Sequence, residues 1–150
     1  MIKYFVYFSF TGNGDYIASL IKEKGYEPVK IELVKPPKKT GFWQILSYGG
    51  RAMFNKKEKL KEIEFKLNPD DEIVIGSPIW NDRVSTPIMT FIDKYELNKE
   101  TTKFILYPAG EKTKKSLKQI KKLGFATEPL VISYPLKKTE ECQKLIEGAF

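Results

Sequence analysis

Apolar positions in this chain fall into short runs separated by polar turns, and the spacing within each run separates strands from helices. Ile2 to Phe8 is almost unbroken apolar sequence, read as a strand over 2–9. Ile17, Leu20 and Ile21 then follow helical spacing, a helix over 15–24 that Gly25 stops. Val29, Ile31 and Leu33 alternate with Lys30 and Glu32, a strand over 28–34 with one exposed side, ended by Pro36-Pro37. A helix over 42–48 comes next, bent or broken at Gly49-Gly50, and then a short extended piece over 63–67. Asn68 to Asp71 is a turn. Glu72 to Ser77 and Lys103 to Tyr107 are apolar at consecutive positions, as strands buried on both faces are. Pro87 to Tyr95 places Ile88, Phe91 and Ile92 on one helical face, with proline near its start. Thr113 to Leu123 is a lysine-rich helix burying Leu117, Ile120 and Leu123, ended by Gly124. Leu130 to Tyr134 is a fifth strand and Thr139 to Ala149 a final helix. Strands alternating with helices predict an α/β fold, a parallel sheet covered on both faces. The 150 residues suit one domain over 1–150.

In such sheets ligands sit beyond the carboxyl ends of the strands, where strand order reverses. Ser9-Phe10-Thr11-Gly12-Asn13-Gly14 occupies that place after the first strand. Gly12 and Gly14 let the backbone bend so that successive N–H groups converge, and the next helix aims its positive end at the same point. Ser9 and Thr11 add hydroxyls, which makes a phosphate cradle. The alternative is a hydroxyl-rich turn that only caps the helix. Gly76 to Trp80 and Tyr107 to Glu111 lie at the same edge, after the third and fourth strands.

Composition narrows the chemistry. There is no histidine and one cysteine, Cys142, so an internal disulfide and histidine acid–base chemistry are excluded and a structural zinc site is disfavoured. No apolar run reaches the length of a membrane span and no signal-peptide pattern opens the chain, which together point to the cytoplasm. The net charge of +7 is concentrated in 35–61, where eight basic residues face Glu58 alone, so the remainder is neutral. One basic segment on a neutral domain suggests a docking surface or a nearby anionic ligand, against a merely solvated lysine-rich face.

The loops at the carboxyl edge make this chain resemble the flavodoxins. Ser9 to Gly14 matches five of six positions of that family's phosphate loop, and Gly76-Ser77-Pro78-Ile79-Trp80 resembles its Gly-[Ser/Thr]-Pro-x-Trp. Tyr107-Pro108-Ala109-Gly110-Glu111 occupies its third loop more loosely. The resemblance implies a doubly wound five-stranded parallel sheet, order 2-1-3-4-5, and non-covalently bound FMN. It implies phosphate contacts from Ser9, Phe10, Thr11, Gly12, Asn13 and Gly14, and flavin contacts from Pro78, Ile79, Trp80, Asn81, Pro108, Ala109, Gly110 and Glu111. Trp80 is the residue expected to stack on the ring. The basic segment resembles an insertion in a branch of bacterial flavodoxin-like proteins.

Three departures stand out. Gly14 replaces the usual threonine, and Asp15 brings a negative charge beside the loop. Asn81 replaces a glycine whose peptide tunes the flavin, although asparagine tolerates positive φ. The chain is basic, whereas carrier flavodoxins are acidic.

Other readings stay local. Trp80 is either a core residue or a stacking ring in an exposed loop, and Tyr107 either flanks the flavin or fills the strand end. Trp43 packs the inserted helix onto the body, and Arg51 is a candidate grip for a nicotinamide nucleotide phosphate or an acidic substrate. Cys142 reads as an inert thiol. The functional expectation is an FMN redox protein passing electrons to a protein, or hydride from NAD(P)H to a small acceptor. The alternatives are a flavin-free module that binds a protein partner and, less favoured, nucleic-acid binding through 35–61.

Overall fold

The computed structural model describes residues 1–35 and 57–150. The expected helix over 42–48, Trp43 and Arg51 lie outside the described residues. The elements run β1 (Lys3–Tyr7), α1 (Asn13–Glu23), β2 (Glu27–Lys30), β3 (Glu72–Trp80) and β4 (Arg83–Val84). They continue with α2 (Thr86–Lys94), β5 (Lys103–Pro108), α3 (Lys114–Lys122), β6 (Leu130–Val131) and α4 (Thr139–Ala149).

Five strands pair in parallel in the order β2-β1-β3-β5-β6, the expected order 2-1-3-4-5 once the parallel strands alone are counted. The sixth, β4, was not expected. It pairs antiparallel with the end of β3 through Ile79–Val84 and Trp80–Arg83. Alternation along β1 explains the layers. Tyr4, Val6 and Phe8 face one side, where Ile88 and Phe91 of α2 and Ile120 of α3 cover them. Phe5 and Tyr7 face the other, under Ile17, Ala18 and Ile21 of α1 and Cys142 and Ile146 of α4. Every strand in the middle of the sheet is therefore apolar on both faces.

Several boundaries differ from the sequence reading, each for a local reason. The strand expected to end at Ser77 continues to Trp80, because β5 and β4 go on pairing with it after β1 has stopped. Residues 63–67 form no strand. Ile63, Phe65 and Leu67 nevertheless pack on the core, with the Phe65 ring edge-on to Tyr4 at 4.9 Å. The fifth parallel strand is only two residues long, although the Ile132 and Tyr134 N–H groups still donate to Leu106 O and Pro108 O before the chain leaves the sheet with Tyr134 at positive φ (53°). The turn at 68–71 and the final helix fall where the sequence put them.

Gly76 is a packing requirement. A Cβ there would lie 2.5 Å from the Phe5 ring, which stacks on Tyr7 at 5.1 Å. Core overpacking of this kind costs about 1–3 kcal/mol. Gly76→Ala should lower unfolding free energy by about 2 kcal/mol in urea titration, with the m-value unchanged.

Candidate functional site at the carboxyl edge of the sheet

Strand order reverses between β1 and β3, since β2 lies on one side of β1 and β3 on the other. The segments following these two strands form the centre of the site. After β1 the chain passes Phe8, whose N–H still donates to Gly76 O at 3.2 Å, and enters the 9–14 loop. Gly12 adopts φ 93°, a left-handed conformation that suits glycine, and its carbonyl accepts the Tyr16 N–H at 3.0 Å to begin α1. Ser9 Oγ accepts the Asp15 N–H at 3.3 Å. Asn13 bridges two segments: its Nδ2 donates to Thr11 Oγ1 at 3.3 Å, and its Oδ1 accepts the Leu136 N–H at 3.2 Å. Among the described residues, no bond is donated by the amides of Asn13 or Gly14, which open α1 where the helix dipole is positive.

The family's threonine could not stand at Gly14. A Cβ there would lie 2.7 Å from Tyr107 Oη, 2.9 Å from Ser9 Cβ and 3.0 Å from Phe8 O. The Tyr107 hydroxyl, wholly buried, donates to the Phe8 carbonyl and fills that space. Burial above all, with Tyr7 and Asp15 nearby, pushes its pKa well up and keeps it a neutral donor. Tyr107 thus fills the strand end.

The Asp15 carboxylate is paired beside the loop. Its Oδ1 accepts from Lys30 Nζ at 2.7 Å and from Tyr7 Oη at 3.1 Å. Burial raises its pKa, but the Lys30 ammonium and the Tyr7 and Ser9 hydroxyls outweigh that and hold the carboxyl below its ordinary value. The charge that appeared to oppose a phosphate is paired with Lys30 at the end of β2.

Trp80 is not in an exposed loop, as the sequence suggested; it is the last residue of β3. Asn81 and Asp82, at φ 49° and 61°, form the two-residue turn into β4, and such turns need positive φ at both positions. Asparagine and aspartate tolerate this better than other side chains. Ser77, fully buried, braces the hairpin: its Oγ accepts the Ser85 N–H at 3.1 Å and lies 3.0 Å from Ser85 Oγ. The Trp80 indole meets the Phe8 ring edge-on at 5.6 Å and the Phe10 ring at 6.2 Å. These ring contacts join the first loop to the second.

In the third loop Pro108 is buried in β5, paired with Ile79. The carbonyls beyond it are held by residues that the sequence reading placed at the end of the fifth strand with no role at the site: Tyr134 Oη donates to Ala109 O at 2.8 Å and Ser133 Oγ to Gly110 O at 2.9 Å. Through Leu136 that segment also touches Asn13. Residues 133–136 therefore tie the third loop to the first. Their sequence signal was their position at and just beyond the end of the strand expected over 130–134. Ile79 is half-buried in the core, and Glu111 is exposed.

Among the described residues no cluster of His, Cys, Asp and Glu could hold a metal, and no helix is long and apolar enough to cross a membrane. Cys142 is fully buried, and burial pushes its thiol up to about 11, as an inert core residue requires.

No family model matches the chain, and no curated protein matches it. Solved structures do. A protein of Bacteroides eggerthii assigned provisionally as a flavoprotein superposes with TM-score 0.66 at 17% identity, over 98% of this chain and 96% of that one. A Lactobacillus acidophilus flavoprotein in complex with FMN gives 0.60 at 22% identity, over 88% and 90%. The apo-form of the flavoprotein from Lactobacillus acidophilus gives 0.62 at 18%, over 91% and 95%. The order β2-β1-β3-β5-β6 and these superpositions together show that this chain has the flavodoxin-like fold.

Proposed function

We propose that this protein binds FMN non-covalently at the carboxyl edge of its sheet and passes electrons through it to an acceptor. One observation carries the reading: the strand-order reversal brings a glycine-shaped loop with open amides and an indole-bearing hairpin together at one point. The donor set suits a phosphate. It comprises the first amides of α1 with the Ser9 and Thr11 hydroxyls and the Asn13 amide, and Lys30 neutralises the one acid close by. The aromatic group formed by Phe10 and Trp80 suits the flat flavin ring, with Asn81 and the 108–111 loop bordering it. The bound flavin would supply the redox chemistry, and no side chain is required as acid or base, in keeping with a chain that lacks histidine.

A flavin-free module drew its support from Gly14 and Asp15. Packing accounts for both: Tyr107 excludes a larger residue at 14, and Lys30 pairs the aspartate. A site of this construction suits electron carriage to a protein and hydride transfer from NAD(P)H alike. Bleaching of the flavin by NAD(P)H without a partner protein would assign the second.

The protein should retain flavin absorbance after incubation with FMN and desalting; a folded, colourless product would overturn the proposal. Lys30→Met should raise the Kd for FMN about tenfold, by leaving Asp15 unpaired beside the phosphate, while riboflavin affinity stays within about twofold. Equal losses for FMN and riboflavin would show that Lys30 acts on the fold and not on the phosphate. Trp80→Ala should weaken riboflavin and FMN alike and raise the fluorescence of bound flavin, measured by titration at constant protein concentration.

A further inference from the structure

Helix α3 reads Lys-Lys-Ser-Leu-Lys-Gln-Ile-Lys-Lys, five lysines and no acid in nine residues. Its apolar side, Leu117 and Ile120, packs on the core, which accounts for the helix but not for the charge. Lys115, Lys118 and Lys122 stand at i, i+3 and i+7, one stripe about 10 Å long at 1.5 Å per residue. With Arg83 of β4 they line a groove of about 610 Å³, whose apolar lining is Met89 and Leu123. The basic segment at 35–61 had concealed this second concentration of charge, because acids elsewhere in the chain balance it only in the sum.

The arrangement is unfavourable to the isolated helix. Lys115–Lys118 and Lys118–Lys122 are like-charge neighbours, and Lys114 and Lys115 sit in the first turn, against the helix dipole. Among the described residues none of the four groove cations has a carboxylate within ion-pair distance. Asp82 meets the first turn of α3 through the Lys115 N–H, but the side-chain charges of the stripe have no such partner among the described residues, and a local rule left broken there points to compensation from outside the chain.

The groove is also fixed to the candidate site. Asp82, in the turn directly after Trp80, accepts the Lys115 N–H at 3.2 Å, and Gln119 Oε1 accepts the Val84 N–H at 3.1 Å. Two hydrogen bonds thus clamp α3 to the hairpin that carries the indole.

We propose that this groove docks the acidic surface of a partner protein and presents that partner to the Trp80 edge of the redox site, an assignment of partner that rests on the flavin reading. Exposed lysines are solvated point charges suited to scattered carboxylates, and rim charges of this kind steer association. Nucleic acid is the poorer occupant. The stripe is short, and among the described residues that line the groove there is no aromatic ring on which a base could stack.

The test uses the whole protein, with and without FMN, and fluorescein-labelled poly-L-glutamate as the acidic probe, read by anisotropy at about 20 and 200 mM salt. Lys115→Ala/Lys118→Ala/Lys122→Ala should raise the Kd about tenfold at low salt, with circular dichroism unchanged. Lys22→Ala/Lys66→Ala/Lys144→Ala, equal in charge and away from the groove, should stay within about twofold. Arg83→Gln, which leaves α3 intact, should weaken binding in the same direction as the groove triple variant. Equal losses in the two triple variants would overturn the proposal. So would a DNA duplex of matched charge that binds more tightly than the peptide with the same groove dependence. Groove-dependent binding in a protein that retains no FMN would support the acidic docking surface and overturn only the flavin reading. Retained FMN with no groove dependence would do the reverse.

Discussion

Phe8 is the residue on which the carboxyl edge is built. Its N–H is the last bond that joins β1 to β3, its carbonyl accepts the Tyr107 hydroxyl, and its ring meets Trp80. Those three contacts come from the two strands that carry the second and third loops. Position 14 must be glycine because the Tyr107 hydroxyl already stands there. A buried phenol must donate its hydrogen bond to something, and the carbonyl at the end of β1 is the acceptor in reach. The first loop is therefore placed by the core beneath it, with no ligand needed to hold it.

Electrostatics is arranged on the same economy of space. A carboxylate in the first turn of α1 favours the helix, yet it would oppose an anion at that terminus. Lys30, reaching across from the end of β2, lets the helix keep its acid while the loop keeps its positive field. On the opposite face of the sheet Asp82 meets only the backbone of α3, and among the described residues the lysine side chains beside Arg83 have no carboxylate within ion-pair distance. The same chain thus cancels charge where a phosphate would be threatened and leaves it standing where the surface is open.

The fold was legible because its signals are local. Consecutive apolar residues at 73–75 and 104–107 announce strands covered on both sides, and helical spacing at 17, 20 and 21 announces the helix between. Proline, glycine and asparagine punctuation placed most of the turns. What misled the sequence reading was non-local. Trp80 stands among proline, asparagine and aspartate and reads as a loop residue, but pairing with β5 and β4 makes it a strand residue. Tyr107 could be a ligand contact or a core residue until α1 is laid over it. Residues 63–67 have an alternating pattern, yet alternation does not supply a neighbouring strand to pair with.

By itself the sequence determined the alternation of strands and helices, the burial of both sheet faces, the glycine loop before α1 and the absence of histidine chemistry, since each depends on residue type and spacing along the chain. The tertiary structure alone decided that Asp15 is neutralised, that Gly14 is obligatory, that residues 133–136 brace the loops, and that the lysines of α3 gather beside the hairpin. Each of these joins residues far apart in sequence, and the energy of such a contact is set by distance in space, which no local pattern encodes.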